Sequence, residues 1–509
     1  MLSERFWNMR LFYDNVLVLV LSMTIGSFAW FFGGTRGELL TDFVPWLVFI
    51  LLDVMFCFPQ RHYGETTYEA RSRVWASYKK DPLTWVVFML IILLAIPFLN
   101  KGLCPSCDYV AINIENKDPS PPIPFAPFCV NLREHLTVFL WFVPALLSML
   151  AIRHSLCERG KRSLLRIMVW NGALLAILGL VQQVAGAQGP LWCDVNCDRN
   201  YFFSTFGYPN MAGDFFFLIF GISVALWRWD IEVFNQEKKA LGAKVASQRS
   251  YIIFWKRHLM LIPALLSYVS AIITLSRAAI LLSTAMVVIF TLHAYACAFK
   301  KMSNRRRVRS LFLSFFVVAL VVVSAITCMP DDVQKEVETL NTTVILDRVS
   351  GRGQYHARVA AAVWRDNFLF GCGGWGYKHF CITKMTEDEL RQIQMVGGIN
   401  VHNDYLQILA EHGIVGLIML IAIVVMLIRP LAKPWKRLMK LVRFMAKKDQ
   451  PPHPFAFFVL PAPVFCILIA ALATLIHAFG DCPLRSPAVM TLFFAMLATL
   501  DAFMPSIDE

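Results

Sequence analysis

His402 stands just before an apolar run that begins VHNDYLQILAEHGIVGLIML, with Asn403 or Asp404 placed to cap the helix that follows. An imidazole at a membrane surface can act as a general base near neutral pH. Arginines gather upstream of it. Arg352 follows a flexible Ser-Gly, Arg358 begins a predicted helix running through Trp364, and a Gly-rich turn over 371–376 closes the unit. Guanidinium groups clamp phosphate oxygens through charge-assisted, often bidentate hydrogen bonds. A base with two or three arginines at a membrane face therefore suits group transfer from a lipid-diphosphate donor. The competing explanation is structural: His402 caps or packs, and the loop arginines pair with Asp347, Asp366 or Glu387.

Arg277 adds a further cation from elsewhere in the chain. It interrupts the apolar stretch Leu259–Phe299, which at 41 residues is two spans joined by a tight turn, TLSRAA. Ionisable residues within lipid are costly and default to functional hypotheses. The spacing puts Arg277 at the outer membrane face, toward the long loop, although an arginine there can also simply snorkel to headgroups.

The elements that must position these residues are membrane helices. With 57% hydrophobic and 16% charged residues, the chain lacks the charged surface of a soluble fold, where roughly 25% is usual. Runs of about 20 apolar residues, enough to cross a ~30 Å hydrocarbon core, recur along it. Spans are predicted near 11–32, 43–58, 83–99, 133–152, 164–186, 207–227, 257–274, 277–299, 309–329, 411–429, 455–478 and 485–504. The first of these is long enough to remain as a span rather than be removed as a signal. The fold class expected is an all-α integral membrane protein of about 12 transmembrane helices. Residues 1–329 hold the first nine spans, 330–410 form one long outward loop with short helices, and 411–509 hold the last three. That loop opens on an amphipathic stretch, Asp331–Leu340, and carries a polar helix near Glu387–Val396. No internal repeat is evident.

Net charge is +13, which in a soluble protein would raise nucleic acid as a partner. On this span assignment two-thirds of the 48 lysines and arginines fall on inward connections, the positive-inside pattern. Both termini are then cytoplasmic, nucleic acid is excluded as a partner, and the basic clusters become topology signals and anionic-lipid contacts. Most cysteines fall on the outward side, where Cys104/Cys107 and Cys193/Cys197 are spaced for local bridges. A zinc site at CPSC lacks a His-Cys partner pair at ligand spacing. The Pro-rich loop 116–127 is expected to be an extended spacer.

Four segments resemble the O-antigen ligase and O-antigen polymerase superfamily of bacterial envelope glycan transferases. FSTFGYPNMAGDFF (203–216) resembles its Gly-x-Pro-Asn segment opening a span, and TLSRAAILL (274–282) its Ser-Arg span start. SGR (350–352), followed by FLFGCGGWGY, is similar to its Arg-then-Gly-turn unit, with Trp375 where a small residue or Pro is usual. VHNDYLQILAEHGIVGL (401–417) resembles its His-Asn-x-Tyr-Leu signature, the most specific of the four. IHAFGDCPLRSP (476–487) is a weaker echo of its closing His…Asp-x-Pro-Leu segment. The similarity covers roughly residues 200–504.

The resemblance implies a metal-independent, cofactor-free transferase taking glycan from an undecaprenyl-diphosphate-linked donor at the periplasmic face of the bacterial inner membrane. Carried over by position, His402 is the base and Arg277 and Arg352 are diphosphate ligands. Arg358 flanks Arg352 and could take its place; Asn210, Asp481 and Arg485 are weaker substrate-binding candidates, each equally explained by a structural bond. Ligation to glycolipid (lipid A–core), polymerisation of glycan repeat units and transfer to a protein hydroxyl use the same parts with different acceptors. A polysaccharide transporter or flippase is the non-enzymatic alternative. It predicts charged or broken helices near mid-membrane and often inverted repeats, none of which the sequence displays. Loop 100–131 lies outside the similarity and is a candidate for acceptor specificity.

Overall fold

A computed structural model describes residues 2–35, 37–101, 125–193, 202–241, 257–299, 353–386, 400–432 and 460–504, with isolated residues 123, 316 and 319. In chain order the main helices are α1 (Leu2–Trp30), α2 (Gly37–Cys57), α3 (Thr67–Lys80), α4 (Pro82–Ala95), α5 (Leu132–Ser155), α6 (Glu158–Val184) and α7 (Pro209–Leu241). There follow α8 (Leu261–Ile273), α9 (Arg277–Phe299), α10 (Gly353–Asp366), α11 (Tyr377–Phe380), α12 (Asp404–Ile428), α13 (Ala462–His477) and α14 (Pro487–Ala498). The protein is all-helical, with no strand among the described residues. Six of these helices are long and apolar enough to cross a membrane, or seven if the bent pair α3–α4 is one span. The predicted span 309–329, the stretch Asp331–Leu340, Arg352, the polar helix 387–396 and cysteines 104, 107 and 197 lie outside the described residues.

The chain divides into two compact units. The first comprises Met1–Ser155, Thr339–Leu427 and Leu475–Phe494. Its helix α3 starts at a capping box in which Thr66 and Glu69 satisfy each other's exposed backbone groups. Residues 67–80, expected as an inward connection, are thus helical; Tyr78, buried, bonds Ser155, and Ser77 bonds His154 at 2.7 Å.

Within this unit α10 is amphipathic. Val359, Ala360 and Val363 face inward, while Arg358 and Arg365 point away. The inward face joins Phe128, Cys372, Tyr377, Phe380, Val401 and Ala410 in one buried cluster that seats the Gly-rich turn on the start of α12. The same turn is fixed on α5. The Gly374 N–H donates to Nδ1 of His135 at 3.0 Å, so the opposite nitrogen carries the proton that goes to the Leu94 carbonyl, 2.8 Å away. Next to it Glu134 pairs with both Lys378 and His379.

One helix departs from the sequence expectation of unbroken spans. α12 runs from Asp404, seven residues ahead of the predicted span, and is broken at Gly413, where φ is 64° and ψ −172°. That backbone region is essentially confined to glycine. The peptide groups released by the break are taken up by the turn segment. Ala410 and Glu411 carbonyls accept from Cys372 and Gly373, and the Ile414 and Val415 amides donate to Phe368 and Leu369. Non-helical backbone at membrane depth is tolerated only where protein satisfies it in this way. The fit leaves no room for a side chain: a Cβ on Gly371 would stand 2.3 Å from the Glu411 carbonyl carbon.

The second unit comprises Leu156–Glu338, Ile428–Thr474 and Ala495–Glu509. Its helices approach closely at small residues, as membrane helices do. Gly172 of α6 lies against Ile219 of α7, and Gly213 of α7 against Ala279 of α9. Lys161, buried, reaches Asp501 at 2.6 Å, and Arg162 donates to the Ala502 carbonyl, which ties the end of the chain to α6.

Candidate functional site

In the first unit residues 402–405 are bound side chain by side chain to residues 475–484. Asn403 caps α12, its Oδ1 accepting from the Leu406 amide at 3.0 Å, while its Nδ2 donates to the Phe479 carbonyl. Asp404 accepts from the Leu484 amide at 2.9 Å, and its own amide donates to the Ala478 carbonyl. Tyr405 donates its hydroxyl to the Leu475 carbonyl at 2.7 Å. His402 completes the set: its Nδ1 lies 3.2 Å from Oδ1 of Asp481. Two segments read separately in the sequence are therefore one structural unit.

His402 adopts a left-handed backbone conformation, φ 51°. For a residue with a side chain this costs on the order of 1 kcal/mol and persists where surrounding bonds over-determine it. The ring is half exposed, with side-chain exposure of 48%, whereas Asp481 is 5% exposed. A buried carboxylate thus orients an accessible imidazole. With Nδ1–H donated to Asp481, Nε2 is the nitrogen left to accept a proton. His356 of α10, buried, packs edge-on against this ring at 5.9 Å between centroids.

Below the pair lies a buried charge network. Arg485 donates to Oε1 of Glu411 at 3.2 Å, and Gln407 donates to the same oxygen at 2.6 Å. The Arg485 guanidinium lies 4.1 Å from the Trp375 ring centre and 5.8 Å from that of Trp141. Its Nε and second terminal nitrogen have no hydrogen-bond partner among the described residues, so the ring faces are what compensates them. Trp375, the departure from the family pattern, is thereby explained: it is the platform for Arg485. An apolar cavity of about 260 Å³ opens from this network, bounded by Gln407, Glu411 and Arg485 at one end and by Leu420, Val424 and Phe493 along its walls.

Arg358 is exposed on α10 and donates to the Lys384 carbonyl at 3.4 Å. Asp366, one of the carboxylates expected to pair with the loop arginines, pairs with Lys384 at 2.6 Å. Arg277 and Asn210 belong to the second unit. Arg277 is the first residue of α9, after a turn in which Leu275 has φ 63° and Ser276 caps the helix by accepting from Ala279. Asn210, at the start of α7, donates to the Tyr208 hydroxyl at 3.0 Å. Their two motifs meet where Gly213 abuts Thr274, Ser276 and Ala279. The structure thus gathers His402, Asp481 and Arg485 in one unit, and Arg277 and Asn210 in the other.

Sequence reasoning missed Glu411, Gln407, His356 and His135. Glu411 had a usable signal, an acidic residue in an apolar run. The two histidines carry none, because only the packing brings them to the site.

These features define a class: a helical membrane protein with a carboxylate-oriented histidine at the mouth of a membrane helix. Residues 262–421 match the family model described as O-antigen ligase, which supports the resemblance to that superfamily over the motifs at 274–282, 350–377 and 401–417; the segments 203–216 and 476–487 lie outside the match. A ligase- or polymerase-type glycan-transferring function goes with that family. No curated protein matches the chain.

Proposed function

We propose that the protein is an inverting, metal-independent glycosyltransferase. It moves a glycan from undecaprenyl diphosphate to an acceptor hydroxyl at the periplasmic face of the bacterial inner membrane, the acceptor being lipid A–core. The observation that carries this reading is the His402–Asp481 pair at the head of α12, 3.2 Å apart, with the histidine half exposed. Asp481 holds Nδ1–H, and Nε2 of His402 takes the proton of the acceptor hydroxyl. The hydroxyl oxygen attacks the anomeric carbon as the bond to the diphosphate oxygen breaks, and undecaprenyl diphosphate leaves. Arg277 and Arg352 stabilise the charge that develops on it, with Arg358, Asn210 and Arg485 holding substrate. In this scheme about 12 spans carry a periplasmic loop over 330–410, and both termini are cytoplasmic. The apolar cavity beside Arg485 supports a lipid substrate.

The break at Gly413 and the buried Glu411–Arg485 pair are features a transporter also has. A transporter leaves unwound carbonyls to coordinate solute, whereas the Ala410 and Glu411 carbonyls are occupied by Cys372 and Gly373. That difference favours the transferase.

The test supplies a lipid-diphosphate-linked glycan with candidate acceptors and follows product. His402→Ala should lower transfer by about 10²–10⁴-fold, the usual worth of a general base, while membrane insertion persists. Near-normal product from that variant ends the assignment. Release of undecaprenyl diphosphate that does not depend on an acceptor ends the transferase reading. A glycan repeat unit or a protein preferred over lipid A–core would move the reaction to polymerisation or protein modification.

A further inference from the structure

Three metal-binding side chains of different chemistry converge at His402. A ring nitrogen of His402, a carboxylate oxygen of Asp481 and the thiol sulfur of Cys482 all lie within 4.8 Å of one another, and Nδ1 is the nitrogen that lies against Asp481. We propose that these three residues form an inhibitory site for a zinc-class divalent ion, one that locks the base of the proposed transferase. The inhibitory part rests on the reading of His402 as base; the binding part does not.

Nitrogen, oxygen and sulfur donors bind zinc at about 2.0–2.3 Å, so donors at the corners of a tetrahedron are about 3.3–3.8 Å apart. The His402–Asp481 separation, 3.2 Å, is already that of such an edge. Bringing the sulfur onto the same ion takes a shift of up to about 1.3 Å, which the half-exposed His402 ring, packed only edge-on against His356 among the described aromatic rings, can share. Three protein ligands with one corner open to solvent is the stoichiometry of a site that exchanges its ion rather than one that holds the fold together.

Charge balance fits a site that is otherwise buried. Asp481 and Cys482 are both buried. On binding, the Cys482 thiol gives its proton to solvent. Thiolate, carboxylate and neutral imidazole then enclose M²⁺ with no net charge, which limits the burial penalty.

The ion acts through the tautomer of His402. Without metal, Nδ1–H faces Asp481 and Nε2 is unprotonated. With metal on Nδ1, the neutral ring carries its proton on Nε2, the nitrogen that must receive the acceptor's proton. Substrate still binds, but the hydroxyl loses its base. Magnesium and calcium, which prefer all-oxygen ligands, have no comparable purchase on this set.

The experiment uses the full chain in detergent or nanodiscs, first stripped by a chelator. At one equivalent of zinc, X-ray absorption should show a single sulfur at about 2.3 Å with light ligands at about 2.0–2.1 Å. No sulfur, or two or more, overturns the site without recourse to any variant. Cadmium should produce a thiolate charge-transfer band that disappears in Cys482→Ser and in His402→Ala but survives in Cys372→Ser. A band unchanged by either of the first two substitutions overturns it as well. Zinc should inhibit transfer, with an inhibitory concentration at least tenfold higher in Cys482→Ser when each protein is compared with its own metal-free rate. Equal zinc sensitivity removes the regulatory role. A protein that binds the ion through Cys482 yet transfers no glycan in its metal-free form would instead sink the transferase reading and leave the site standing.

Discussion

The Arg485 guanidinium rests over the Trp375 ring at 4.1 Å, joining the Gly-rich turn to the segment that follows Asp481. A cation over an indole contributes about 0.5–2 kcal/mol, most where water is excluded, and Arg485 is 8% exposed. Trp375→Phe should keep most of this and Trp375→Leu little. Thermal unfolding in detergent should rank the midpoints wild type, Phe, Leu. A leucine variant as stable as the wild type would show the stacking to be incidental.

The Glu411–Arg485 pair has both side chains at least nine-tenths buried. Removing one partner of a buried pair costs about 3–5 kcal/mol, because the other charge is stranded. Glu411→Ala should therefore be strongly destabilising. Combining Glu411→Leu with Arg485→Met should cost much less than the two single changes summed. A double-mutant cycle by denaturant titration measures the coupling, and additive losses would mean that the two charges do not depend on each other.

Asp481→Asn tests how His402 is set up for the reaction proposed above. The amide oxygen would stay with the Cys482 N–H and still accept from Nδ1–H, but the negative charge that stabilises the imidazolium formed when Nε2 takes a proton would be gone. The turnover number should fall by about 10²–10⁴-fold with KM little changed. A variant whose loss lies in KM alone would place Asp481 in substrate binding instead.

Cys372, Cys381 and Cys129 lie around the Gly-rich turn, and burial raises all three thiols: Cys381 up to about 12, Cys129 up to about 11, and Cys372 well above its usual value. A raised thiol stays protonated until the pH approaches the shifted value. At pH 8 the thiolate fraction is then about 10⁻⁴ for Cys381 and about 10⁻³ for Cys129, and the thiolate is the reactive form. Maleimide should spare these residues in the folded protein and modify them after denaturation, as read by peptide mass mapping. Fast labelling of the native protein at pH 8 would contradict the packing described.

Gly413→Ala should prevent correct assembly of the first unit. The added Cβ would stand 2.2 Å from the Leu369 carbonyl oxygen, at a backbone conformation that side chains rarely adopt. Yield and size-exclusion behaviour of the variant in detergent provide the measurement, with a normal elution profile as the contrary result.

Much of the helical framework was legible because apolar runs of membrane length leave few alternatives. The turn between Ile273 and Arg277 was likewise marked by polar residues within a run too long for one span. The start of α12 at Asp404 was legible only as a cap, since VHNDYLQ is too polar to extend a hydropathy window. The break at Gly413 was not legible at all: its cause is the docking of residues 368–373, a tertiary fact that no local composition carries. His402 could be named from its surroundings. Its dependence on Asp481 could not, since the two are 79 positions apart and are brought together by bonds from Asn403, Asp404 and Tyr405 to Phe479, Ala478, Leu484 and Leu475.

That separation has a temporal side. Synthesis proceeds from the N-terminus, so His402 leaves the ribosome well before the stretch 475–484 exists to receive Asn403, Asp404 and Tyr405. Until then the imidazole has no Asp481 to fix its tautomer, and nothing holds its left-handed backbone in place. A nascent chain can thus carry His402 in full and still lack the carboxylate that orients it. The residues made last complete the His402–Asp481 pair, and on the function proposed above the chain gains its base only once its spans are in place.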